Sequence, residues 1–207
     1  MSEHAHEHPH PSSRDYEPGY FEIMEIAVGE LLVEKQLIGA GEIRRQIEVL
    51  DSRSPALGAK VVARAWVDQK FRARLLADGR AACEEMGITF YDDTGLIVLE
   101  NTDKIHNVVV CTLCSCYPRP VLGLPPDWYK LKPYRARVVK EPRAVLAEFG
   151  TIIPDDVEIR VSDSTAQVRY LVLPRRPPGT EGLAEEQLAA LVTRDAMIGV
   201  APAEFHA

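Results

Sequence analysis

Val108-Val109-Val110-Cys111-Thr112-Leu113-Cys114-Ser115-Cys116-Tyr117-Pro118-Arg119-Pro120 is the stretch on which the reading of this chain turns. Three of the four cysteines fall within six residues here, approached from an apolar β-branched run and left through a turn with two prolines. That pattern predicts a strand delivering a tight, sulfur-rich loop. On an α-helix Cys111 and Cys114 would share a face while Cys116 pointed away, and on a strand Cys111 and Cys116 would lie on opposite faces. Only a curled loop turns all three sulfurs toward one point.

Thiolates gathered so closely repel one another, and a metal ion is the most economical reason for bringing them together. Structural zinc normally takes four ligands, usually as two separated pairs, and the remaining Cys83 has no partner at pair spacing. Iron–sulfur clusters likewise usually take four cysteines. A thioredoxin-like redox pair would use Cys111 and Cys114 and leave Cys116 idle. What remains is a centre with three sulfurs that completes its shell from something else, such as main-chain nitrogen.

The run CTLCSCYP, with HNVVV before it and PVLGLPPDWYK and YRARVV after it, resembles the metal-binding segment of nitrile hydratase α subunits and of the related thiocyanate hydrolase γ subunits. The likeness extends from about Phe21 through AKVVARAW and ARLLADG to GTEG and LVTRDAMIGVA, so it covers most of the chain. It implies an α+β fold in which an N-terminal helical arm precedes a layered α/β/β/α globular domain. It also implies a ligand set: sulfur from Cys111, Cys114 and Cys116, and deprotonated main-chain nitrogen from Ser115 and Cys116, with one position left open. In the family the sulfur matching Cys114 is a sulfinate and that matching Cys116 a sulfenate, while the one matching Cys111 stays a thiolate. Such donors suit a low-spin trivalent ion that acts as a Lewis acid without redox cycling. Oxygen on the Cys116 sulfur makes a polar group able to serve as nucleophile or base. Thr112 accompanies cobalt in this family, whereas serine there accompanies iron, so cobalt(III) is the expected cofactor ahead of iron(III).

The activity so implied is hydration of a nitrile to its amide, with Cys114, Ser115 and Cys116 forming the catalytic loop. Arg119 departs from the nitrile hydratase pattern, which commonly has tryptophan there, and agrees with thiocyanate hydrolase, which converts thiocyanate to carbonyl sulfide and ammonia. A guanidinium beside the open position would attract an anion or donate hydrogen bonds to a polar nitrile. From another class, a non-catalytic cobalt-binding or storage protein could use the same loop without oxidising Cys114 and Cys116. Arg169 matches a family arginine near the subunit contact and is expected beside the site. Leu183 stands where relatives usually have tryptophan after GTEG. The family further implies a β-type partner subunit, which supplies arginines and a tyrosine to the pocket, and an activator protein that delivers cobalt.

The rest of the chain fits this frame. At 207 residues, 46% hydrophobic and 27% charged, it is long enough for one sizeable core, or a core plus an arm. It has no run of about 18 apolar residues to span a membrane and no secretory signal. Four cysteines, three of them clustered, do not read as a secreted disulfide framework, so a reducing cytoplasm is expected. A net charge of −7 gives no electrostatic reason to expect nucleic acid.

Three segments are expected: a His-rich tail over 1–18, a helical arm with further helices over 19–87, and a metal-binding α+β domain over 88–207. The tail, with His4, His6, His8 and His10, buries too little to fold alone, and its imidazoles could hold incoming cobalt transiently. From Tyr20, apolar residues recur at helical spacing through Leu32 and again through Ile43, Ile47 and Leu50, until Pro55 and Gly58 break the pattern. A further helix is expected over Ala59 to Met86 with an interruption near Asp68, ending at Gly87. Strands are expected at 96–99, 108–110, 157–161 and 167–173, the last two around a turn at Asp163 to Thr165. His106 reads as a hydrogen-bonded histidine at a strand start rather than a ligand, and Cys83 as a small buried residue. The prolines from Pro118 to Pro133 predict a long rigid loop, where Trp128, Tyr129 and Tyr134 either wall a pocket or simply pack. The basic run from Lys130 to Arg143 reads as a solvated face, or as a counter to the charge of the sulfur loop. Short helices are expected from Arg143 to Phe149 and from Ala184 to Thr193.

Overall fold

The computed structural model describes residues 19–205. The His-rich tail lies outside the described residues. Two compact units meet in sequence between Val49 and Leu50, so the helices from Pro55 onward group with the strands rather than with the first two helices.

The first unit contains α1 (Tyr20–Glu34) and the beginning of α2 (Glu42–Asp51). Glu22 and Glu42 reach back to the main-chain N–H groups of Gly19 and Gly39, at 2.7 and 2.8 Å, and so close the two helix starts. A Cβ on Gly29 would sit 3.4 Å from Ile43 Cδ1, so the missing side chain lets α1 and α2 lie close together. Neither helix buries a residue, and Phe21 is 83% exposed. These are helices with apolar side chains and no core of their own.

The second unit opens with α3 (Pro55–Val67), α4 (Gln69–Ala77) and α5 (Gly79–Glu85). The periodicity predicted one helix here with a single interruption; the structure has two interruptions, each at an aspartate. The Asp68 carboxylate accepts from the N–H groups of Lys70 and Phe71, and Asp78 accepts from Ala81, so each ends one helix and caps the next. Pro55 and Gly58 do not break a helix but lie in the first turns of α3. Proline suits the first helical position because its missing N–H would be unpaired there anyway. At Gly58 a Cβ would come within 2.7 Å of Met197 Sδ and 2.9 Å of Leu122 Cδ2, so glycine lets α3 approach its neighbours.

Among the described residues four strands make two parallel pairs. β1 (Gly95–Glu100) pairs with β4 (Val168–Leu173), with Gly95 opposite Val168, and β2 (Ile105–Val110) pairs with β3 (Glu158–Asp163), with Val110 opposite Asp163. β3 and β4 flank a turn in sequence yet pair with different strands. Largely buried β2 takes in β3 a partner that alternates between exposed and half-buried positions, and β4, buried at its end, pairs with β1, in which Leu96 and Val98 are buried and Ile97 is exposed.

The proline-rich region is not one loop but three short helices, α6 (Arg119–Leu122), α7 (Asp127–Lys130) and α8 (Lys132–Arg137), followed by α9 (Pro142–Glu148). Pro120 and Pro133 stand in first turns, where proline starts a helix instead of preventing one. The last expected helix is shorter, α10 (Glu185–Ala189), and a further one, α11 (Arg194–Ile198), begins where the Thr193 hydroxyl accepts from the Ala196 N–H.

Helices α4 and α5 pack on β1, α9 on β3, and α11 on both β2 and β4, an α+β layering around two small sheets. The core between them includes Val61, Val62, Leu75, Val108, Leu171 and Met197, all fully buried. Among the described residues no helix is long and apolar enough to cross a membrane.

Candidate metal centre

β2 ends at Val110, and the chain curls at once into the cysteine loop. The register of β2 on β3 sets its start: the Ser164 main-chain N–H donates to the Val110 carbonyl at 2.7 Å, and the Asp163 carboxylate accepts from both the main-chain N–H and the hydroxyl of Thr112, at 2.9 and 2.5 Å. Cys111 is buried, Cys116 half-buried and Cys114 exposed. Their sulfurs all lie within 4.8 Å of one another, with Cys111 to Cys114 at 3.4 Å and Cys114 to Cys116 at 3.3 Å. The Cys114 N–H donates to the Cys111 sulfur at 3.2 Å. Three sulfurs therefore face one point, an arrangement that could hold a metal ion favouring soft thiolate ligands.

The free thiols show why a cation suits this loop. Hydrogen bonds from Cys116, then Cys111 and the Ser115 N–H, hold the Cys114 thiol down to about 7. Cys116 is pushed up to about 12, first by burial and then by donating to Cys114, with the positive charge of Arg169 acting against this. The loop accommodates one negative sulfur readily and resists a second. Buried Cys83 stands apart from the cluster, and burial also raises its thiol to about 12.

Side chains distant in sequence hold the loop from outside. Tyr129 donates to the Cys116 carbonyl at 2.9 Å and Tyr134 to the Val109 carbonyl at 2.7 Å. Both rings are buried in an edge-to-face cluster, Tyr129 against Tyr117 at 5.1 Å and Tyr134 against Trp128 at 4.9 Å. Trp128, Tyr129 and Tyr134 thus pack beneath the loop and do not wall the cavity above it. Of the basic run, Arg137 pairs with Glu141 and Glu148, Lys130 with Asp127, and Arg143 donates to carbonyls at 153, 154 and 157. Arg135 alone of these four reaches the loop, donating to the carbonyls of Cys114 at 2.9 Å and Thr112 at 3.4 Å.

A cavity of about 500 Å³ opens over Cys114, Ser115 and Cys116, and both Arg119 and Arg169 line it. Arg119 stands at the first position of α6 and Arg169 near the start of β4, where its guanidinium donates to the Thr165 carbonyl. Asp92, Tyr91 and Arg53, which sequence reasoning did not select, line the same cavity. The Arg53 guanidinium lies over the Tyr91 ring, 5.0 Å from its centre. No local pattern marks these residues; they reach the loop only through packing of the chain before β1. His106 keeps away from the sulfurs: its Nε2 donates to the Gly199 carbonyl at 2.8 Å, and burial lowers its basicity so that it stays neutral.

A sulfur-rich loop at the end of a parallel strand pair, open to an arginine-lined cavity, defines the class of α+β protein whose clustered cysteines could hold a metal ion. The sequence profile of the family described as nitrile hydratase, alpha chain, matches residues 19–201, and the chain belongs to that family. The low-molecular weight cobalt-containing nitrile hydratase subunit alpha of Rhodococcus rhodochrous is 58% identical over 175 residues, 84% of each chain. The thiocyanate hydrolase subunit gamma of Thiobacillus thioparus is 45% identical over 192 residues, covering 87% of this chain and 79% of that one. A double mutant of the Fe-type nitrile hydratase from Comamonas testosteroni Ni1 superimposes with a TM-score of 0.79 at 44% identity, over 88% of this chain and 90% of that one.

Proposed function

We propose that this chain is the metal-bearing catalytic subunit of a cobalt nitrile hydratase, which adds water to a nitrile to give the amide. The observation that carries this reading is the convergence of the Cys111, Cys114 and Cys116 sulfurs in one loop beneath an open cavity. The resemblance to a cobalt-containing α subunit and the presence of Thr112 favour cobalt(III) over iron(III). Held by these donors, the ion supplies Lewis acidity while keeping one oxidation state, which is all that a neutral hydration requires.

The chain's own groups do the remaining work. Arg119 donates hydrogen bonds to the polar end of the substrate, a charge-assisted contact worth roughly 1.5–3 kcal/mol. With its sulfur oxidised to the sulfenate, Cys116 presents an oxygen that takes a proton from water as that water's oxygen bonds to the nitrile carbon, and the proton passes to the nitrile nitrogen on the way to the amide. Arg169 places positive charge beside Cys116 and so favours the anionic, nucleophilic form of that oxygen. Asp163 and Tyr129 fix the two ends of the loop, so that these groups meet the substrate without rearrangement. The loop is assembled in the reducing cytoplasm as free thiols, an activator protein delivers the cobalt, and a β-type partner subunit completes the pocket wall.

Three arginines lining the cavity, Arg53, Arg119 and Arg169, support a second reading in which the substrate is the thiocyanate anion. One preparation distinguishes these readings. The complex is purified from cobalt-supplemented cells, assayed with nitriles and with thiocyanate, and its tryptic loop peptide is weighed. Nitrile turnover with one added oxygen on Cys116 and two on Cys114 is the expected result. Thiocyanate turnover in preference to nitriles would install the second reading, and cobalt on unoxidised sulfur without turnover would install metal storage. Loss of cobalt loading at limiting metal on deleting residues 1–12 would give the His-rich tail its role.

A further inference from the structure

The loop hangs on one cation that no carboxylate claims. Among the described residues Arg135 has no acidic partner, whereas Arg137, two positions on in α8, is paired with two glutamates. The Arg135 Nη1 donates to the carbonyls of Cys114 and Thr112, and its Nε is buried with no hydrogen-bond partner. The side chain is thus drawn under the loop, with its charge directed at main-chain oxygen.

The bonded carbonyl decides what this contact does. Cys114 C=O belongs to the same peptide unit as the Ser115 nitrogen, so the two share one conjugated system, and a cation on the oxygen draws electron density from the nitrogen. Cys116 C=O, held by the neutral hydroxyl of Tyr129, belongs to the peptide unit of Tyr117, whose nitrogen lies outside the ligand set proposed above. The two contacts therefore differ in kind. Tyr129 fastens the far end of the loop, while Arg135 acts on a donor peptide itself.

We infer that Arg135 is the positioning residue of the metal centre: it holds the Thr112 to Cys114 carbonyls in the curled shape and offsets the negative charge that the Ser115 peptide carries as a metal donor. This rests on the reading of the loop as a metal centre. A lysine at the same place keeps the charge and the donors that the single Nη1 here gives to both carbonyls, whereas glutamine keeps a donor and loses the charge.

The test uses the full chain, purified with the subunits that accompany it from cobalt-supplemented cells, as wild type, Arg135→Gln, Arg135→Lys and Arg137→Gln. Cobalt per chain, the position of the sulfur-to-metal absorption band and the melting temperature are read for each. Arg135→Gln is expected to lower cobalt content at least threefold and to move the absorption band of the cobalt that remains. Arg135→Lys retains most of the cobalt, and Arg137→Gln matches wild type. Full cobalt and an unmoved band in Arg135→Gln would overturn the inference. Equal loss in Arg135→Lys and Arg135→Gln together with a lower melting temperature would also overturn it, leaving the residue a packing role only. A wild-type complex without cobalt or iron would instead remove the metal-centre reading beneath it.

Discussion

Tyr129 and Arg119 stand on opposite sides of the cysteine loop and do different things there. The Tyr129 hydroxyl is the buried donor to the Cys116 carbonyl, so Tyr129→Phe leaves that oxygen unpaired beneath the loop. We expect a loss of about 1–3 kcal/mol in the denaturant-derived unfolding free energy, together with weaker retention of metal against a chelator. Arg119 faces the cavity, and its contribution depends on what enters. Arg119→Gln should lower kcat/KM for an anionic substrate by roughly ten- to a hundredfold, the equivalent of a lost charge-assisted bond, and for a neutral nitrile by clearly less. Parallel assays with thiocyanate and an uncharged nitrile check this, and equal losses would mean that the guanidinium does not read substrate charge.

At the scale of elements, the loop is only as fixed as β2, and α11 holds β2 in place. α11 ends at Gly199, whose φ of +88 an L side chain rarely adopts, and a Cβ there would lie 1.9 Å from the Asn107 carbonyl oxygen. The same glycine's carbonyl accepts from His106, so the helix end and the strand are joined on both faces of one residue. Gly199→Ala should cost at least about 2 kcal/mol, from backbone strain and overpacking together. Thermal melts and metal content would both register the change, because a displaced β2 moves Cys111. The sequence showed the apolar end of β2 and the stop of α3 near Asp68, but it started that helix at Ala59 and did not show α11, which lies beyond the helix expected from Ala184 to Thr193. The signal that was present, Thr193 as a capping residue, is local and easily lost beside a stronger amphipathic pattern.

For the whole molecule, the pH dependence follows from buried His106. Burial lowers its folded-state pKa below the ordinary value of 6.5, so as pH falls through 6.5 the unfolded chain takes up a proton that the folded one resists. Stability is therefore full above that value and is lost progressively below it. His106→Asn should flatten this part of the melting-temperature profile between pH 7 and pH 5.5, with both ends of the comparison taken on the metal-free chain. The two compact units give a further prediction. Because α1 buries no residue, a chain lacking residues 1–34 should melt within a few degrees of the full chain. It should also lose co-purification of the partner subunit, which an arm with exposed Tyr20, Phe21 and Ile23 is suited to hold. Pull-down of the two versions reads that loss.

The sequence by itself determined the crowding of three thiols into one loop and the existence of most helices and strands. Three thiols within six residues constrain one another through the backbone alone, and apolar periodicity is likewise a local property. Which strands pair, and what steadies the loop, only the tertiary structure decided. Asp163 reaches Thr112 across 51 positions, Arg135 reaches Cys114 across 21 and Tyr129 reaches Cys116 across 13. Such contacts form because burying β2 and β4 brings β3, α7 and α8 against the loop, a free-energy balance of the whole core that no short run of residues contains.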